Sequence, residues 1–203
     1  MTIHLYHGDI PEDLDLGPVV AIDSETMGLN PLRDRLCVVQ LSSGDGIAHL
    51  VKFDGMSWNA PNLTRMLTNP DQLKLFHFAR FDVAVMKQYL GVQTGPVYCT
   101  KIASKLVRTY TDRHGLKELC RELLGVDLSK VQQSSDWGAA ELTEAQQTYA
   151  AQDVLHLHAL RERLDVMLQR ENRSELAKAC FDFLPKRADL DLLGWNEVDI
   201  FAH

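Results

Sequence analysis

Apolar residues in this chain fall first into short unbroken runs and later into stripes of helical period. Val19-Val20-Ala21-Ile22 is continuous and rich in β-branched residues, as expected of a strand covered on both faces. Segments 36–41 and 47–51 repeat that character, and Ser42-Ser43-Gly44-Asp45-Gly46 between them is a strong hairpin signal. Segment 73–76 predicts another strand and 97–99 a weaker one. Helical spacing predicts helices over 62–67, 80–90, 100–107 and 116–124, a long one from 144 to about 169, and one over 174–184. An antiparallel strand set followed by βα alternation predicts an α/β fold, a mixed sheet flanked by helices in three layers, as one domain over residues 1–203.

Several acidic residues interrupt this pattern where an apolar residue is expected. Asp23 and Glu25 follow the run 19–22; residues two apart share a strand face, so both point the same way at its C-terminal end. Functional groups of α/β sheets collect at such ends, although a polar turn after a strand accounts for an isolated pair equally well. On a helix starting near residue 80, Asp82 shares a stripe with Val85, Met86 and Tyr89, where it pairs with Arg80, stands as an early-turn acid favoured by the helix dipole, or binds a metal ion. Tyr149, Asp153, Leu157, Leu160, Leu164 and Met167 form a second stripe, apolar except for a phenol and a carboxylate one turn apart. Thr143 with Gln146 predicts a capping box that fixes where that helix begins.

Four carboxylates gathered from three segments repel one another unless cations intervene. An all-oxygen donor set suits Mg²⁺ or Mn²⁺, whereas zinc recruits His or Cys. Two such ions about 3.5–4 Å apart can activate water and stabilise a departing oxygen, which is the need of a phosphodiester hydrolase. Tyr149 would then orient or deprotonate that water.

Composition narrows the picture. At 203 residues, 45% hydrophobic and 24% charged, the chain has the makeup of a soluble globular protein. A net charge of −7 does not favour a broad basic face for coating long duplexes. Locally, however, Lys101, Lys105, Arg108, Arg113 and Lys117 oppose only Asp112, and with Tyr110 and His114 they make a candidate phosphate-holding stretch or a solvated helix face. Cys37, Cys99, Cys120 and Cys180 form no CxxC pair and read as reduced, buried residues. The N-terminal segment lacks a signal-peptide core and no apolar run reaches membrane length, so a cytoplasmic protein is expected.

The ordered set resembles the DEDDy branch of the DnaQ-like 3′–5′ exonucleases, whose fold is similar to ribonuclease H. Asp23-Ser24-Glu25 with Thr26-Met27-Gly28-Leu29 resembles the first exonuclease motif, His77-Phe78-Ala79-Arg80-Phe81-Asp82 the second, and Tyr149-x3-Asp153 the third. Ser135-Asp136-Trp137, Leu142-Thr143 and Tyr149-Ala150-Ala151 resemble ribonuclease D. Segments 33–46, 109–118 and 193–203 carry the likeness nearly end to end to the nanoRNase C family. That resemblance implies a 3′–5′ exoribonuclease cleaving dinucleotides and very short RNAs with Mg²⁺ or Mn²⁺, assembled as a homo-octamer. It implies Asp23, Glu25, Asp82 and Asp153 as metal ligands, Leu29 as a wedge between bases, and Met27 or Trp137 packed near them. Thr26, Gly28, His77, Arg108, Tyr110 and Arg113 complete the expected substrate contacts.

Two departures stand out. His77 occupies a position where many proofreading exonucleases carry Asn, and Gly138-Ala139-Ala140-Glu141 replaces a basic, proline-containing stretch of ribonuclease D. The alternative reading is a ribonuclease D-like trimmer of longer RNA or DNA 3′ ends; an inactive RNA-binding module is disfavoured by the intact set of acids. The apolar tail, about 185–203, is expected either to pack back on the domain or to bury at a subunit interface.

Overall fold

Strand β2 (Val19–Thr26) pairs antiparallel with β3 (Leu36–Ser42) on one side and parallel with β5 (Leu73–Phe76) on the other, which makes it the pivot of a mixed sheet. The computed structural model describes residues 1–129 and 131–203. β4 (Ile47–Lys52) forms the expected hairpin with β3, and β6 (Val97–Cys99) extends the parallel edge. With β1 (Thr2–His7) at the far edge, the sheet order is β1-β4-β3-β2-β5-β6. Every residue of β3 is buried, as its unbroken apolar run requires.

Strand β1 (Thr2–His7), which the sequence reading did not anticipate, runs parallel to β4 at the edge. Its signal is the alternation of Ile3 and Leu5 with polar neighbours; both pack against a small cluster containing Val38, Leu50 and Trp137.

The helices are α1 (Pro61–Thr68), α2 (Ala79–Leu90), α3 (Thr100–Val107), α4 (Leu116–Leu119, continued by a π-turn over Cys120–Leu124), α5 (Glu144–Leu155), α6 (Leu157–Arg170) and α7 (Ser174–Leu190, ending in a π-turn over Asp191–Trp195). Helix α5 packs across β1 to β4, and α2 against β2, β3, β5 and β6. The single long helix expected from 144 to about 169 is two helices broken at His156 (φ −108°, ψ −4°). The bend lets one sequence stripe serve two partners, since α5 faces the sheet while α6 lies against α3 and β5. Leu157, Leu160 and Leu164 are fully buried, and each such side chain contributes about 1.5–3 kcal/mol through removal from water.

Helix α7 runs on past Pro185, where the sequence predicted a stop near 184. The residues beyond it fold back on α2. Arg80 donates to both Asp191 oxygens (2.6 and 2.7 Å) and to the Asn196 carbonyl (2.5 Å), while Arg187 donates to the Trp195 carbonyl (2.8 Å). Arg80 is therefore the partner of Asp191, not of Asp82.

Candidate active site

The pleat of β2 divides its last residues between two helices. Asp23 and Glu25 face α5, and Ser24 between them faces α2, where its hydroxyl donates to Asp82 Oδ1 at 2.6 Å. A bulge between Glu25 and Thr26 ends the regular pairing with β3. Bulges commonly re-aim side chains beside active sites. The chain then turns through Gly28, where any Cβ would lie 2.3 Å from Asp34 Oδ2, so the Asp34 carboxylate would have to move to admit a larger residue.

Asp82 is 2% exposed in the first turn of α2. That helix opens abruptly because Phe78, just before it, holds a left-handed backbone (φ 72°, ψ 42°). A non-glycine residue in that region stores strain and is found disproportionately at functional sites. Helix α5 starts where predicted. Thr143 Oγ1 accepts from the Gln146 amide (3.2 Å), and Gln146 Oε1 accepts from the Thr143 amide (3.0 Å). The cap sets the phase of the helix, and so turns Tyr149 and Asp153 toward β2.

As a result, one carboxylate oxygen from each of Asp23, Glu25 and Asp153 lies within 4.8 Å of the others. Asp82 adjoins Asp23 from the α2 side. Among the described residues, none of the four takes part in an ion pair. Burial pushes Asp23 up to about 7 against a backbone hydrogen bond that lowers it. Burial, then the charges of Asp23, Asp153 and Asp82, push Glu25 up to about 10. Asp82 and Asp153 are also raised, by burial and by Asp23. Burial and the neighbouring carboxylates hold the Tyr149 phenol well above its ordinary value. A cluster of unpaired acids in this state fits a hard divalent cation, whose charge would relieve the repulsion and whose preference is for oxygen.

The acids stand at the floor of a cleft of about 630 Å³. Thr26, Met27, Gly28, Leu29, His77 and Trp137, all expected near substrate, line it. Leu29 projects from its lip with 88% of its surface exposed. His77 shares a hydrogen bond with Thr100 Oγ1 (2.9 Å), and burial with nearby Lys101 pulls it down to about 3.

Arg108, Tyr110 and Arg113 are not brought to the cleft. Arg108 is fully buried, donating to Glu122, to Ser104 Oγ (3.0 Å) and to the Arg113 carbonyl (2.8 Å). Tyr110 donates to Glu122, and Arg113 is exposed. The same basic stretch instead sends Lys101 and Lys117 to the cleft wall.

Phe78 and Ser24 carry no signal in the sequence that marks them as cleft residues, whereas Lys101 belongs to the basic stretch noted above. Strict alternation along β2 places Ser24 toward α2. The strained backbone of Phe78 and the stacking of Lys101 Nζ 4.2 Å from its ring centroid have no sequence signal.

A mixed sheet with clustered carboxylates at the end of its pivot strand, joined by acids from two helices, defines an exonuclease-type α/β domain. The sequence profile described as 3′–5′ exonuclease matches residues 8–169, and the chain belongs to that family. Over its full length it is similar to NrnC of Brucella melitensis. The structure of that protein with bound Mg²⁺ is 54% identical, with a TM-score of 0.96 over 100% of both chains. Its structure bound to pGG is 55% identical, with a TM-score of 0.97 over 100% of this chain and 99% of that one. Ribonuclease D of Gluconacetobacter diazotrophicus is 32% identical over 164 residues, 81% of this chain. The chain spans about two-fifths (41%) of the length of that relative.

Proposed function

We propose that residues 1–203 act as one metal-dependent exoribonuclease domain, which hydrolyses dinucleotides and very short RNAs from the 3′ end to nucleoside monophosphates. The observation that carries this reading is the convergence of Asp23, Glu25 and Asp153 within 4.8 Å, beside Asp82 and Tyr149, in an open cleft. End-to-end similarity to a protein whose structures hold Mg²⁺ and pGG, a two-nucleotide ligand, supports the metal and the substrate length.

Two Mg²⁺ or Mn²⁺ ions would activate water and neutralise charge on the departing oxygen. Asp23, Glu25 and Asp153 offer the oxygens that hold them, with Asp82 restrained by the Ser24 hydroxyl on the α2 side. The Tyr149 hydroxyl, one helical turn from Asp153, orients the attacking water. Water adds to phosphorus as the bond to the 3′ oxygen breaks, releasing a 5′-monophosphate and a 3′-hydroxyl. Leu29 enters between the two bases, Met27 and Trp137 support them, and Thr26, Gly28 and His77 bound the pocket. Lys101 and Lys117 are the cations available to the substrate phosphates.

Likeness to ribonuclease D favours a second reading, 3′ trimming of longer RNA or of DNA. The Asp153→Asn variant decides between enzyme and binding module: turnover of a dinucleotide disappears if the cleft is catalytic and persists if it is not.

The four cysteines are unpaired, and we place the protein in the reducing cytoplasm. The tail leaves Leu193, Trp195, Val198, Ile200 and Phe201 exposed although its backbone is docked on α2, and we propose that these residues bury in a homo-oligomer, an octamer by the family likeness.

A further inference from the structure

Three consecutive carbonyls beside the cleft are each held by a side chain from a different part of the fold. Gln146 Nε2, in the first turn of α5, donates to the Asp136 carbonyl at 3.0 Å. Lys52 Nζ, at the end of β4, donates to the Trp137 carbonyl at 3.1 Å and to the Phe53 carbonyl at 3.1 Å. Arg35, just before β3, donates to the Gly138 carbonyl at 3.3 Å. Turn carbonyls away from a ladder need such partners, but three separate anchors on successive residues fix the turn in every direction.

Lys52 is the unusual member. It is 4% exposed, its two acceptors are neutral carbonyls, and burial pulls it below its ordinary value. Among the described residues Lys52 makes no ion pair, although Asp136 and Asp54 lie near enough to favour its charge; an ammonium buried on neutral acceptors is costly, and an apolar side chain would fill the same slot more cheaply. What its head holds is Trp137, itself 2% exposed, whose ring lies 5.9 Å from the Tyr149 ring at 41°. Close packing makes this contact sensitive to the turn. At Gly138 a Cβ would lie 2.4 Å from Met27 Sδ, so the turn also abuts the β2 end of the cleft.

We propose that Lys52, together with Arg35 and Gln146, is a positioning residue for the phenol: the clamp presses Trp137 against Tyr149 and so sets where the phenolic oxygen stands over the carboxylates. This role rests on the exonuclease reading above. Lys52 is not among the residues that line the cleft; it acts through Trp137.

The test uses the full chain and two readouts. In a Trp58→Phe, Trp195→Phe background, Trp137 is the sole tryptophan. Lys52→Met then shifts its emission to longer wavelength without any substrate, because the loosened turn admits water. On a two-nucleotide RNA, Lys52→Met lowers kcat about 10- to 100-fold, the cost of a small misplacement at a reacting centre, with KM little changed. In a Tyr149→Phe background the same substitution lowers kcat no further, since its effect passes through the lost hydroxyl. Unchanged emission, or losses that add in the double variant, overturn the proposal. Should Lys52→Met fail to fold, Arg35→Met removes the Gly138 anchor and moves both readouts in the same direction by less; no movement in either also overturns it. If the parent cleaves no RNA, the exonuclease reading falls, while the emission of Trp137 still decides the clamp.

Discussion

Asp82 and Asp153 each occupy a helix position that an apolar residue would otherwise fill, and both lie at the floor of one cleft with Asp23 and Glu25. Because these acids oppose the surrounding pattern, the sequence exposes them. Tyr149 is visible for the same reason, one turn from Asp153. Replacing Tyr149 with Phe is predicted to lower kcat by about 10²- to 10⁴-fold, the range for a positioned acid–base group, with Tm little changed. Equal losses of activity and stability would remove its catalytic role.

His77 gives a second prediction at this scale. Its folded value of about 3 lies below the unfolded value near 6.5, so between these pH values the unfolded chain binds a proton that the native protein refuses. The stability that neutral His77 contributes is present above 6.5 and is lost as pH falls toward 3. Compared with His77→Gln, the wild-type protein should lose stability from pH 7 to pH 4 in denaturant titrations; parallel curves would contradict this. Ser24 and Phe78 are the cleft residues the sequence conceals. One depends on which helix covers the far face of β2, the other on a backbone angle that tertiary packing imposes.

Elements were readable where a local signal fixes them. The Ser42–Gly46 turn, the buried run of β3 and the Thr143–Gln146 capping box all stand where short-range chemistry places them. Losing the cap in Thr143→Ala should cost about 1 kcal/mol, seen as a lower urea midpoint at unchanged slope. An unaltered midpoint would mean that the contacts of α5 with the sheet alone fix the start of the helix.

Where tertiary contacts decide, local signals fall short. The stripe of Tyr149 through Met167 reads as one helix, yet it must meet the sheet before residue 156 and α3 after it, so the helix bends. Strand β1 was missed because His4, Tyr6 and His7 dilute its hydrophobicity; its edge position requires only Ile3 and Leu5 to be apolar. The basic stretch 101–117 stands out in the sequence, but only Lys101 and Lys117 of its cations line the cleft. Which of its side chains reach the cleft depends on how α3 and the following loop are packed. Arg108 turns inward to Glu122, while Lys101 turns to Phe78.

At the scale of the molecule, an acidic protein is read as acting on a polyanion, which makes cations and substrate length the governing variables. The docked tail is the surface proposed above for assembly. Arg80 stands two residues before Asp82 and binds Asp191 and the Asn196 carbonyl, so the tail is tied to the helix that carries one of the cleft acids. If these residues bury in a homo-oligomer as proposed, light scattering should find the full chain as a multimer and the chain lacking residues 195–203 as smaller species; an equal mass for the two would contradict the proposed interface.

The length of RNA that the cleft admits governs the proposed activity. The most direct measurement is turnover of 5′-labelled RNAs of two to ten nucleotides, with Mg²⁺ or Mn²⁺ and then with chelator. Much faster cleavage of the dinucleotide, abolished on chelation, is the predicted result; cleavage equal at all lengths, or none at any, would contradict it.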